Sequence, residues 1–234
     1  MSIKLQIKHD YTFNNQNLFN GLSDSIIKEL QSGSVIMKFG VGESIFNEGE
    51  MPLGIYRVKK GMVKKFTSTS FASHHIFYIC KEDEFLGYHA VISHDSYVDS
   101  ATALVDSEIE FIPKKTFMKA LDDCPKLQKH LFESLGLEFR VFVNATKVLA
   151  KYTVRERTAL NLLILENKFK STNQDVTEII INRDDLASMV GTAKESVVRT
   201  LKEFKEDRLI TTKRSSIFIK DYDGLVKASY IDVV

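Results

Sequence analysis

From residue 35 to residue 112 the chain is written in short apolar runs broken by glycine turns. The runs are Val35 to Gly40, Glu43 to Gly49, Gly54 to Gly61, Met62 to Phe66, His75 to Cys80, Phe85 to Tyr88 and Ala101 to Ile112. Turn signals at roughly every eight to twelve residues predict an all-β sandwich or barrel. Ile55 and Arg57 alternate against Tyr56 and Val58, the pattern of a strand with one face buried. Ahead of these strands, residues 1 to 32 read as an irregular lead-in. It holds one short helix, Ser23 to Leu30, opened by a Ser/Asp cap.

After Pro113 the period changes to that of a helix, and after Pro125 the helix becomes long. Its apolar positions are Leu127, Leu131, Phe132, Leu135, Phe139, Phe142 and Leu149. Phe132, Leu135, Phe139 and Phe142 step by three, four and three, and Leu149 follows one heptad later, which makes an a/d seam. Such a stripe could pack on the chain's own β domain, but three heptads in one helix favour a partner helix. Lys151-Tyr152-Thr153 breaks the period, and Thr153 is placed to cap a further helix, Val154 to Phe169, facing inward through Ala159, Leu160, Leu163 and Ile164.

The stretch Ile181 to Leu201 reads as two short helices joined by a tight turn. Asn182 is the N-cap of the first, with Asp184 and Asp185 favourable to its dipole. Leu186, Ala187 and Val190 give it an apolar face, and Gly191 ends it. Thr192 with Glu195 predicts a capping box on the second helix. Val197, Leu201 and Phe204 then face inward, leaving Glu195, Ser196, Arg199 and Lys202 outward and Lys194 at the edge. This is the layout of a helix-turn-helix, whose second helix enters the major groove of DNA. Asp207 to Lys220 alternates apolar and polar around a Lys213-Arg214-Ser215 turn, a hairpin wing with a basic tip. Asp221 to Val234 reads as a short helix and a frayed end.

Composition changes the picture in three respects. Net charge is only +1, which excludes indiscriminate coating of nucleic acid. The basic excess is instead local: Thr192 to Lys220 holds eight Lys or Arg against four Asp or Glu. Two cysteines, Cys80 and Cys124, cannot form a disulfide framework, and no leader or membrane-spanning run is evident, so a cytoplasmic protein is expected. No nucleophile–base pair, metal-ligand spacing or phosphate loop is present, so the chain is not expected to be an enzyme.

The run Gly42-Glu-Ser-Ile-Phe-Asn-Glu-Gly49, followed by Ile55-Tyr-Arg-Val-Lys-Lys-Gly61-Met-Val, resembles the cyclic-nucleotide-binding β-roll. Joined to a downstream winged helix, it resembles the catabolite activator/fumarate-nitrate regulator (Crp/Fnr) family of bacterial transcription factors. The resemblance runs from about residue 28 to about residue 222. It implies an α+β chain in three parts: a β-roll effector-type domain at 1–124, a dimerisation helix at 125–151, and a winged helix-turn-helix at 152–234. It further implies a homodimer through Phe132, Leu135, Phe139, Phe142 and Leu149, bound to a pseudo-palindromic DNA site. RNA polymerase would be a partner if the protein is an activator.

Family roles carry over by position. Arg199 sits where an arginine forks onto guanine O6 and N7. Glu195 can accept from a cytosine amino group and hold Arg199, and Ser196 shares the base-reading set. Lys194 replaces a second arginine, and an ammonium cannot fork onto guanine. Asn182 and Arg183 resemble phosphate clamps, and Lys202, Lys213, Arg214 and Ser215 are expected at phosphates. The effector pocket departs from the family. The ribose-contacting Gly-Glu-Leu is replaced by Gly87-Tyr88-His89, after Phe85 and Leu86, and the phosphate-pairing Arg-Ser by Tyr97-Val98. No arginine lies between Arg57 and Arg140 to neutralise a cyclic phosphate. Control by cyclic nucleotide is therefore not expected, and the effector is an unknown small molecule or none. No cofactor is expected: an iron–sulfur cluster needs four thiolates. The rival reading is a small-molecule sensor signalling mainly through protein contacts, with haem considered because His74, His75, His89 and His94 occur around the roll.

Overall fold

The computed structural model describes residues 3–68, 74–170 and 176–230. The chain divides into two compact units. One comprises residues 13–72 and 77–139, the other residues 1–12, 73–76 and 140–234. These bounds differ from the expected three-part division: they cut the long helix at 139/140 and group the N-terminus with the C-terminal part.

The first unit is built on two four-stranded antiparallel sheets. One runs in the order β1 (Val35–Phe39), β8 (Ser107–Pro113), β3 (Gly54–Lys60), β6 (Phe85–Leu86). The other runs β2 (Ser44–Phe46), β7 (Ser100–Ala103), β4 (Met62–Ser68), β5 (His74–Lys81). Ile45, Phe46, Val58, Val63, Leu86 and Ile109 belong to the apolar cluster of this roll. Helices α2 (Asp24–Gln31), α3 (Tyr88–Ser93) and α4 (Lys114–Asp123) complete the unit, with Ser23 capping α2 as expected. Long helix α5 (Pro125–Lys151) opens on proline, which costs nothing at a first helical position because its missing N–H would be unbonded there anyway.

Several strand expectations need correction. Ala101 to Ile112 is two strands, because residues 104–106 turn the chain from one sheet to the other. Strand β3 is buried on both faces, Ile55, Tyr56 and Val58 alike, since helices α3 and α4 pack on it. Phe85 to Tyr88 is strand only to Leu86; Gly87 then takes φ 80° and Tyr88 starts α3. On α5 the apolar positions split. Leu127 and Leu131 are buried in the chain's own core. Phe132 and Phe139 are each 71% exposed, with Phe142 and Leu149 also exposed and Leu135 half-buried.

In the second unit, helix α6 (Val154–Phe169) is central, packed against α7 (Arg183–Val190), α8 (Lys194–Glu206), α9 (Tyr222–Ala228) and β9 (Ile179–Ile180). It is therefore buried on most sides: Leu162 and Leu165 are enclosed along with Ala159, Leu160 and Leu163, while Ile164 is only half-buried. A single inward face was expected, but a helix surrounded by neighbours needs apolar residues all round. The N-terminal stretch, expected to be irregular, forms α1 (Ile3–Asp10), which also packs on α6. The wing is strands β10 (Ile210–Lys213) and β11 (Ser216–Ile219), and β9 adds a third strand to β11. The short helix expected in the tail is α9, capped by Asp221, and the expected frayed end, residues 231–234, lies outside those described.

Candidate functional site

Helix α8 is set in place by a chain of backbone caps and ion pairs below it. Thr153 and Glu156 form a reciprocal capping box that starts α6, with Thr153 N donating to Glu156 Oε2 at 2.7 Å. Arg155, on that first turn, reaches Glu203 at 2.9 Å and Asp207 at 2.6 Å, and lies over the Phe204 ring at 4.7 Å. Arg157 donates to the carbonyls of Leu149, Tyr152 and Gly191, which ties the end of α5 to the turn between α7 and α8. That turn needs glycine: Gly191 has φ 68°, and an added Cβ would stand 2.9 Å from Leu149.

Asn182 caps α7 by accepting from Asp185 N at 2.7 Å and donates to the Asp185 carboxylate at 2.8 Å. The predicted capping box on α8 does not form. Its N-cap is Ala193, with no side-chain cap, because the turn after Gly191 runs one residue further before the helix begins. Val197, Thr200, Leu201 and Phe204 are buried. Lys194, Glu195, Arg199 and Lys202 are exposed, and Ser196 is half-buried. The bracing of Arg199 by Glu195 is not seen; Lys194 instead pairs with Asp184 at 2.8 Å. Arg183 donates to the Arg214 and Ser215 carbonyls at 3.3 and 3.4 Å, fastening the wing tip to the start of α7. Lys213, Arg214 and Ser215 are exposed, and Arg214 takes φ 54° at the hairpin turn.

The roll interior is closed by its own side chains. Tyr97 stacks on Phe46 at 4.0 Å, and its hydroxyl donates to the Gly54 carbonyl at 3.3 Å. A Cβ on Gly87 would touch Tyr97 and Tyr56. Phe85, Leu86 and Tyr88 are buried, whereas Val98 is 66% exposed and does not line the interior. The Phe85 backbone is held at both N–H and C=O by Asn15, each at 2.9 Å.

Beside this aromatic group lies a charge cluster that the sequence reading missed. Lys65, 3% exposed, pairs with Asp99 at 2.9 Å and Glu138 at 3.8 Å. Tyr88 donates to Glu138 at 2.7 Å, and Tyr78 donates to the Glu138 carbonyl at 3.2 Å. Burial alone would lower the proton affinity of Lys65, but Glu138 and Asp99 outweigh it and raise its pKa above 10.5. His89 lies 3.6 Å from Asp99, and the facing atoms, His89 Nε2 and Asp99 Oδ1, have no hydrogen-bond partner. Burial, then the Lys65 charge, lower the His89 pKa below 6.5. A signal for Lys65 was present: it stands two residues after buried Val63 in β4, on the inward side of a period-two strand. Cys80 is buried and Cys124 half-buried, and neither is joined in a disulfide. His75 lies 2.9 Å from the Ser188 carbonyl, and no metal-holding group of three His, Cys, Asp or Glu occurs among the described residues.

Two family descriptions match the chain: "Cyclic nucleotide-binding domain" over residues 36–124 and "Crp-like helix-turn-helix domain" over residues 156–228. A curated relative, Transcriptional activator protein anr of Pseudomonas aeruginosa, is 24% identical over 200 residues, 85% of this chain and 80% of that one. The Fumarate and nitrate reduction regulatory protein of Escherichia coli is 23% identical over 190 residues, 80% of this chain and 75% of the relative. Among solved structures, FixK2 from Bradyrhizobium japonicum superimposes with a TM-score of 0.77 at 18% identity, over 86% of this chain and 99% of that one. No helix among the described residues is long and apolar enough to cross a membrane.

Proposed function

The chain belongs to the Crp/Fnr family of transcription regulators, not enzymes, and carries a helix-turn-helix DNA-binding domain; from that premise we propose that it works as a cytoplasmic homodimer on pseudo-palindromic DNA sites, without control by cyclic nucleotide. The observation that carries the DNA-reading half is the outward face of α8. Glu195 and Arg199 stand exposed on a helix whose other face is anchored in the core. Arg199 reads guanine, with Glu195, Ser196 and Lys194 beside it. The exposed Lys194–Asp184 pair contributes only about 0.2–1 kcal/mol, so DNA can exchange it for a base or phosphate contact. Lys202, Lys213, Arg214 and Ser215 take phosphates. Asn182 and Arg183 have side chains engaged in the cap and the wing, and they position the interface more than they contact DNA.

Dimer formation is supported by Phe132, Phe139, Phe142 and Leu149, which repeat at coiled-coil spacing and are exposed in the single chain. A second copy of α5 is the occupant that covers them. One recognition helix reads only a few base pairs, so useful specificity requires two half-sites. Where the site lies beside a promoter in an activating position, RNA polymerase is the further partner.

Independence from cyclic nucleotide is supported by the filled interior. Tyr97 and Phe46 occupy it, and Lys65, a buried cation, is already matched by two carboxylates. A cyclic phosphate would enter with no free counter-charge. Sedimentation of the wild type and of Phe139→Asp/Phe142→Asp tests the assembly: a dimer and a monomer are expected, and a monomeric wild type at micromolar concentration overturns it. Calorimetric titration with cyclic AMP and cyclic GMP should show no saturable heat, and a micromolar dissociation constant for either refutes that part.

A further inference from the structure

The outward face of α8 carries one exposed apolar residue. Val198 is 48% exposed. It lies three residues after Glu195 and four before Lys202, on the side away from buried Val197, Thr200, Leu201 and Phe204. Lys194, one turn before it, has its ammonium drawn to Asp184 at 2.8 Å. A β-branched side chain is a poor choice for an exposed helix position, where it loses rotamer freedom and gains no packing. All its neighbours on this face are charged.

The major-groove edge of DNA offers one prominent apolar feature, the C5-methyl group of thymine. We infer that Val198 reads that methyl, in the base pair adjacent to the guanine taken by Arg199. Consecutive helical residues are about 1.5 Å apart along the axis and turned by about 100°. Base pairs are stacked about 3.4 Å apart. Val198 and Arg199 therefore leave one turn in different directions and reach neighbouring base pairs. Val198 supplies discrimination that Lys194, lacking a guanidinium fork, does not. The inference rests on the DNA-reading role proposed above for α8.

The test uses the full-length protein. Selection from a randomised duplex library supplies the preferred site, and an Arg199→Ala mismatch profile locates its guanine. Each thymine of a half-site is then replaced singly by deoxyuridine, which removes only the methyl group. One substitution, next to that guanine, should weaken wild-type binding by about fourfold, the cost of one methyl-sized contact. Val198→Ala, which favours the helix and leaves folding intact, should bind thymine and uracil sites equally. Equal wild-type binding to every uracil site, an unchanged thymine preference in Val198→Ala, or a site with no thymine beside the guanine overturns the inference while leaving the DNA-reading role standing. If the library yields no enriched sequence at all, the reading role of α8 fails, and the inference with it.

Discussion

The two charged regions of this molecule solve opposite problems. In the roll, Lys65, Asp99 and Glu138 are buried and spend their charges on one another, with Tyr88 and Tyr78 donating to Glu138. On α8, Glu195, Arg199 and Lys202 are exposed on a helix whose buried face does the holding. A buried charge must be matched inside the chain, because removing it from water costs several kcal/mol. An exposed charge keeps its water and remains available to a partner. The contrast separates an interior with little left to offer a phosphate-bearing ligand from a surface whose charges are solvated or held only in exposed, exchangeable pairs.

Lys65→Met is expected to have the largest effect, because it strands two buried carboxylates. It should lower the unfolding free energy by about 3–5 kcal/mol in urea titrations followed by circular dichroism. Adding Asp99→Asn and Glu138→Gln should recover much of that loss. A single-variant loss within 0.5 kcal/mol, roughly the range of an unremarkable surface change, would remove the basis of the comparison.

Arg199→Ala tests the other side. Stability should hold, while binding to the preferred site falls by about 1–3 kcal/mol and selectivity relaxes at one base pair of each half-site. Uniform loss with an unchanged mismatch profile would show that Arg199 positions the helix without reading. Lys213→Ala is expected to be milder and different in kind. It should weaken all sequences alike and reduce the log–log salt slope by about 1, as loss of one phosphate contact requires.

The smallest effect concerns pH. His89 is held below its ordinary 6.5 in the folded chain, so below that pH the unfolded chain binds a proton more readily than the folded one. Stability should therefore fall as pH drops from 6.5 toward the folded value, and His89→Gln should flatten that part of the profile. Lys65 acts at the other extreme: its raised pKa keeps its contribution intact up to pH 10.5, and it is lost as pH rises through the folded value. An unchanged acid limb in His89→Gln would show that this histidine is not thermodynamically coupled to the cluster.

The sequence by itself determined the parts whose signals are local. Strand spacing, the Thr153 cap, the Asn182 cap, the Gly191 turn and the inward triad Val197, Leu201 and Phe204 all depend on residues within one or two turns of each other. The exposed stripe on α5 was legible for the same reason, since heptad spacing is a property of one helix. The tertiary structure decided everything that needed a distant neighbour. Leu127 and Leu131 are apolar like the seam but sit one position out of its register, and only packing shows that they are buried in the chain's own core. Only packing on the roll and on α6, respectively, reveals α3 and α1. Lys65, Asp99 and Glu138 are far apart in sequence and each is an ordinary surface residue type. They become a cluster because β4, the residue just before β7, and α5 deliver them to one dry interior, where a lone charge is untenable and a matched set is stable. Periodicity says which way a side chain points along its own element, but not what it meets there.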